Sequence, residues 1–224
     1  VSRATKHSCC KAAKRVLKML NRFFSIITYL THPLIIPIYL LLILFNSDTY
    51  LSYTLSPALQ RIILAAVFIL TCLMPFLTSV LLLKKQGVKG LLMEDRQSRT
   101  IPYFLTVVYY IACYYFLLRL PVSSVIKILI LAAACCIALA FIINFFWKIS
   151  IHLIGIGGMA GAFYILTVLM GNEFLLPFIL ALLLAGLTAT ARLSQNAHTH
   201  SQLYVGFIVG FACEYLFIMW SLST

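Results

Sequence analysis

Acidic side chains are scarce in this chain: Asp48, Glu94, Asp95, Glu173 and Glu214 are all it has. Scattered along 224 residues, they form no carboxylate cluster of the kind that ligates a hard divalent cation, so a metal-free, cofactor-free chemistry is the expectation. Charged residues of both signs make up only 10% of the sequence and hydrophobic ones 63%, against roughly 45–50% apolar content in soluble domains. The polar surface that a water-soluble fold requires is therefore missing, and the composition is that of an integral membrane protein. Cysteine spacing is equally uninformative. Cys72, Cys113, Cys135, Cys136 and Cys213 lie inside apolar runs and Cys9 is adjacent to Cys10, which reads as small packing residues and neither a disulfide framework nor a zinc site.

What is present is hydrocarbon in long runs. A helix needs about 20 apolar residues to cross a bilayer, and such runs occupy nearly all of the sequence, leaving no room in it for a separate soluble domain. The expected fold is all-α: a polytopic transmembrane helical bundle of six to seven spans. A basic amphipathic N-terminal segment (1–22) is expected before the bundle (23–224). Over residues 11–27, Val16, Leu20, Phe23, Phe24 and Ile27 share one helical face, while Lys11, Lys14, Arg15, Lys18 and Arg22 lie largely on the other. That is the pattern of a helix in the membrane surface, or of the first turns of a span. No small-residue cleavage site follows, which argues against a signal peptide. The first apolar run, about 24–45, holds Pro33 and Pro37, expected to kink it or split it into an interfacial part and a short crossing. Later spans are expected at about 58–83, 102–120, 122–146, 150–170, 174–191 and 203–222.

Three polar islands interrupt the hydrocarbon. The first, 84–102, carries Lys89, Glu94, Asp95, Arg96 and Arg99; the second, 147–152, reads Trp-Lys-Ile-Ser-Ile-His; the third, 192–202, reads Arg-Leu-Ser-Gln-Asn-Ala-His-Thr-His-Ser-Gln. Counting seven crossings, they follow spans two, four and six, so all three face one side of the membrane. The net charge of +12 sits mostly at segment ends and not along an aromatic-studded face. Membrane-surface charge and an anionic substrate explain it better than nucleic acid. Fourteen of the seventeen Lys and Arg fall on the side of the N-terminus and islands, leaving Arg61, Arg119 and Lys127 opposite, and the positive-inside rule would make the islands cytoplasmic. The glycines of Gly155-x-Gly157-Gly158-x-x-Gly161 and Gly206-x-x-x-Gly210 read as surfaces for close helix packing, not a nucleotide loop.

Collected on one face, the islands offer Lys89, Arg96, Arg99, Lys148, Ser150, His152, Arg192, His198 and His200. Cations match the charge of a phosphate, one imidazole can attack phosphorus, and another can donate a proton to the departing group. Ser150 and His152 at the start of one span, and His198 just before or within the first turn of another, also face helix N-terminal amides toward an anion.

Lys89-x6-Arg96, Ser150-x-His152 and Arg192-x5-His198 resemble, in order and spacing, the three signature pieces of the type 2 phosphatidic acid phosphatase superfamily, membrane relatives of vanadium haloperoxidases. The family patterns are K-x6-R-P, P-S-G-H and S-R-x5-H-x3-D, and the match extends over most of the chain from about residue 58. The resemblance implies that His198 is the phosphoryl-accepting nucleophile and His152 the acid that protonates the leaving alcohol. Lys89, Arg96, Ser150 and Arg192, with Arg99 as a further candidate, would hold phosphate oxygens. It implies metal-independent hydrolysis of a lipid phosphate monoester or pyrophosphate through a phosphohistidine, in an integral protein of a bacterial inner (cytoplasmic) membrane. Members of this family commonly work on the outer face, which opposes the charge count.

Departures from the pattern stand beside the matches. Gln97 replaces the proline after Arg96, Ile149 and Ile151 flank Ser150, and Ala191 precedes Arg192. Gln202 replaces the aspartate that orients the nucleophile, four residues after His198 and on the same helical face. Its amide oxygen can accept the imidazole N–H and fix the tautomer, without supplying negative charge. The alternatives are a slow or altered phosphatase, a carboxylate supplied by Glu94 or Asp95, or binding without catalysis. Arg99 is equally an interface anchor, Lys148 an interfacial partner of Trp147, His200 a surface residue and His32 structural. Glu214 lies within a span and is either a bundle hydrogen-bonding group or part of a polar pocket. The rival functions are a non-catalytic protein that binds anionic lipid headgroups and, from a third class, a small transporter. The partners expected are membrane lipids and a phosphorylated lipid, not nucleic acid.

Overall fold

The computed structural model describes residues 3–86 and 100–223. Residues 87–99 of the first island, with Lys89, Glu94, Asp95, Arg96, Gln97 and Arg99, lie outside the described residues.

The chain is an all-α membrane bundle. Among the described residues, six helical stretches are long and apolar enough to span a bilayer: Pro57–Leu82, Thr100–Leu118, Ser124–Phe146, Ile151–Met170, Asn172–Ser194 and His200–Ser221. The helices are α1 (Arg3–Leu30), α2 (Ile36–Phe45), α3 (Tyr50–Tyr53), α4 (Pro57–Val67), α5 (Met74–Gln86), α6 (Thr100–Leu118), α7 (Ser124–Phe146), α8 (Ile151–Met170), α9 (Leu175–Ser194) and α10 (His200–Ser223). A π-helical stretch, Phe68–Leu73, joins α4 to α5. Pro75 accounts for it: a proline lacks the N–H for the regular ladder and crowds the carbonyl one turn back, and the wider turn accommodates the ring.

The six long helices fall within the expected six to seven spans, and the N-terminal run is split, as its two prolines predict. No break separates 22 from 23; α1 runs unbroken to Leu30, and the chain is split at Thr31–Ile35, around Pro33. Ten-residue α2 rises only about 15 Å, too short to cross alone. It is buried through Ile36, Pro37, Leu40, Leu41, Leu44 and Phe45 and packs against α4, α7 and α8. In chain order, the three islands follow the first, third and fifth of the six long helices.

Helix α8 is the centre: 67% of its spanning window is buried, against 22–44% for the others. Its glycines do what their spacing predicts. Helices α8 and α10 run parallel, and a Cβ on Gly157 would collide with the Phe207 carbonyl, one on Gly210 with the Ile154 carbonyl, and one on Gly206 would lie 2.9 Å from the Ser150 carbonyl oxygen. Only hydrogen at these positions lets the backbones touch. Gly210→Ala is expected to force the pair apart and lower stability by about 1–3 kcal/mol, read as a lower Tm in detergent. Gly186→Ala, in open space on α9, is the control and is expected to be neutral or mildly stabilising.

Candidate functional site

The site forms where two short links meet the tops of α8 and α10. Trp147 leaves α7 in an extended conformation, and by Ile151 the chain is helical again. The Ser150 N–H donates to the Gln202 carbonyl at 3.4 Å, tying the second island to the first turn of α10. The third island turns just as tightly. Asn196 adopts φ 51°, a left-handed conformation that asparagine tolerates, and the Ala197 and Asn196 N–H groups donate to the carbonyls of Arg192 (3.1 Å) and Leu193 (2.9 Å). This is a Schellman closure of α9. It reverses the chain beside Arg192, in the last turn of α9, and delivers His198 immediately before α10.

His198 and Gln202 are bonded as the i, i+4 spacing predicts. Gln202 Oε1 lies 3.1 Å from His198 Nδ1 and also accepts the Thr199 N–H at 3.2 Å. A backbone N–H can meet only the oxygen end of the amide, so the amide orientation follows. The ring nitrogen facing that oxygen must then carry its hydrogen, which leaves Nε2 as the nitrogen with a lone pair. His198 and His152 are each 8% exposed and Arg192 4%.

These three side chains line one cavity of about 1370 Å³, together with Lys148, Gln195, Asn196 and His32. Arg192 Nη1 donates to Gln195 Oε1 at 3.2 Å, Gln195 Nε2 donates to Thr28 Oγ1 at 3.4 Å, and the Thr28 hydroxyl donates to the Phe24 carbonyl at 2.9 Å. Helix α1 is thereby pinned to the island side, and the arginine is braced. Lys148, read as a possible interfacial partner of Trp147, stands on the cavity wall. His200 is exposed, as its position on the opposite face predicts.

Ser150 differs from its expected place. It is fully buried beneath α10, its hydroxyl has no hydrogen-bond partner, and it does not line the cavity. The close approach of Gly206 to its carbonyl is the cause: α10 covers it.

His32 was expected to be structural, yet its ring meets His152 edge-on with centroids 5.5 Å apart. The Leu34 N–H donates to its Nδ1 at 3.4 Å, which puts the ring hydrogen on Nε2. No local signal beyond the adjacent Pro33 marks it, because its position depends on the break between α1 and α2. Burial, and then the positive charge of Arg192, push its pKa down from 6.5 to about 4. An unfolded chain binds this proton below about 6.5, the folded chain only near 4. The resulting stability is present above pH 6.5 and lost as pH falls toward 4, by at most about 3 kcal/mol. Unfolding midpoints across this window should fall with pH, and His32→Phe should flatten the slope; an unchanged slope assigns the effect to other groups.

Among the described residues no group of three or more His, Cys, Asp or Glu side chains is placed to hold a metal ion. Comparison with protein-family models, with curated proteins and with solved structures gives no match.

Proposed function

We propose that this protein is a divergent lipid phosphatase that hydrolyses a lipid phosphate monoester or pyrophosphate through a phosphohistidine at His198, as the resemblance to the type 2 phosphatidic acid phosphatase superfamily implies. The observation that carries the reading is the Thr199–Gln202–His198 arrangement on a cavity wall shared with His152 and Arg192. It leaves a lone-pair nitrogen on a ring that lines the same cavity as a buried cation and a second imidazole.

In this mechanism Nε2 of His198 attacks phosphorus and the bond from phosphorus to the leaving oxygen breaks. His152 gives its proton to that oxygen. Water then cleaves the N–P bond: its oxygen goes to phosphorus and its proton to His152, which releases inorganic phosphate and restores both imidazoles. Arg192 and Lys148 offset charge on the transferring group's oxygens in a site of low dielectric. Lys89, Arg96 and Arg99 of the first island are proposed as further phosphate ligands.

We place the site on the cytoplasmic face of a bacterial inner membrane. The end of α1, the helix that carries seven Lys and Arg, is bonded to the island side, and this supports the positive-inside assignment.

Purified protein presented with a panel of lipid phosphates and pyrophosphates is expected to release inorganic phosphate, with no loss when a chelator is added. The uncharged Gln202 favours one other reading, a non-catalytic protein for anionic headgroups. Saturable binding of these lipids with no release from any of them would establish that reading and end the first.

A further inference from the structure

The cavity does not stop at the histidines. It continues between α2, α6 and α7, past Tyr103, Thr106, Leu129 and Cys136, and reaches Glu214 on α10. Its volume of about 1370 Å³ exceeds the roughly 300–1,000 Å³ of small-molecule sites. Glu214 is 4% exposed, and its Oε2 is buried with no hydrogen-bond partner. Its Cγ lies 3.2 Å from where a Cβ on Gly158 would stand. The absence of a side chain at Gly158 therefore leaves room for the acid.

Glu214 makes no ion pair with any of the described residues, and an ionised carboxylate is disfavoured in such surroundings, so the group stands as a neutral acid whose O–H can donate. Gly158 is six residues beyond His152 on α8, which sets Glu214 about 9 Å deeper in the membrane. A lipid phosphate bound at the histidine end must present something at that depth. In a glycerol-based lipid, the ester carbonyl oxygens are six or seven bonds from phosphorus, about 7–8 Å at an extended-chain reach of ~1.2 Å per bond. A polyprenyl phosphate offers only hydrocarbon there, and would leave the buried acid unsatisfied.

Resting on the phosphatase reading, we propose that Glu214 forms an intramembrane subsite whose carboxylic acid donates a hydrogen bond to an ester carbonyl of a glycerol-based lipid phosphate. The subsite selects ester-linked glycerolipids over ether-linked and polyprenyl phosphates.

The test compares a diacyl glycerol phosphate, its dialkyl ether analogue and a polyprenyl phosphate, with wild type, Glu214→Leu and Glu214→Gln in nanodiscs. Equilibrium binding and phosphate release are both read. One hydrogen bond predicts a three- to tenfold ester-over-ether preference, roughly. It should fall to about unity in Glu214→Leu and be partly kept in Glu214→Gln, whose amide still donates. No ester preference in wild type, or the same preference in Glu214→Leu, overturns the proposal. Ester-selective binding that depends on Glu214 without phosphate release upholds the subsite and removes the phosphatase reading. Release without ester preference does the reverse.

Discussion

His198→Ala is expected to lower phosphate release by ~10⁴-fold or more, since removal of an attacking group costs the whole covalent route. Binding of the lipid should change little, because Arg192 and Lys148 remain. A substrate labelled at phosphorus, quenched in denaturant during turnover, should leave acid-labile label on wild type and none on the variant. Label that persists on His198→Ala would place the nucleophile elsewhere and sink the assignment. His152→Ala separates the two imidazoles. It should cost ~10²–10⁴-fold with an alkyl leaving group and far less with an aryl phosphate whose leaving oxygen needs no proton.

Gln202→Asp is expected to raise kcat, by a factor that could approach 10⁴ by analogy with triads in which the buried carboxylate is exchanged for an amide. In the present chain the amide oxygen holds the His198 tautomer without offsetting the positive charge that the ring gains as it takes the phosphoryl group. A carboxylate adds that charge and stabilises the imidazolium. The acidic limb of the pH–rate profile should accordingly move to higher pH, since the free imidazole would be protonated more readily. Gln202→Leu removes the acceptor for both the Thr199 N–H and the His198 ring, and should reduce kcat by at least tenfold. An equal or lower rate in Gln202→Asp would show that the missing charge is not what limits this site.

The spans were legible because hydrocarbon runs of bilayer length have few alternatives in lipid, where every backbone group must be satisfied within a helix. That the two glycine runs serve close helix packing was legible for a similar reason, but that they meet each other, α8 against α10, was not. The His198–Gln202 pair was legible from i, i+4 spacing alone. His32 and Gln195 were not. Their roles depend on where α1 ends and what it docks against, and no local pattern states that. Ser150 was misplaced because its depth beneath α10 follows from a glycine contact more than fifty residues away in sequence.

Composition and periodicity by themselves determined that this is an all-α membrane protein of six or seven spans, since burial of apolar surface follows from the order of residues. Only the tertiary structure decided that the break in the N-terminal run falls at Thr31–Ile35, that His32 meets His152, and that the cavity reaches Glu214. The reason is physical: each depends on how close two distant helices can approach, and that distance is set by the side chains packed between them.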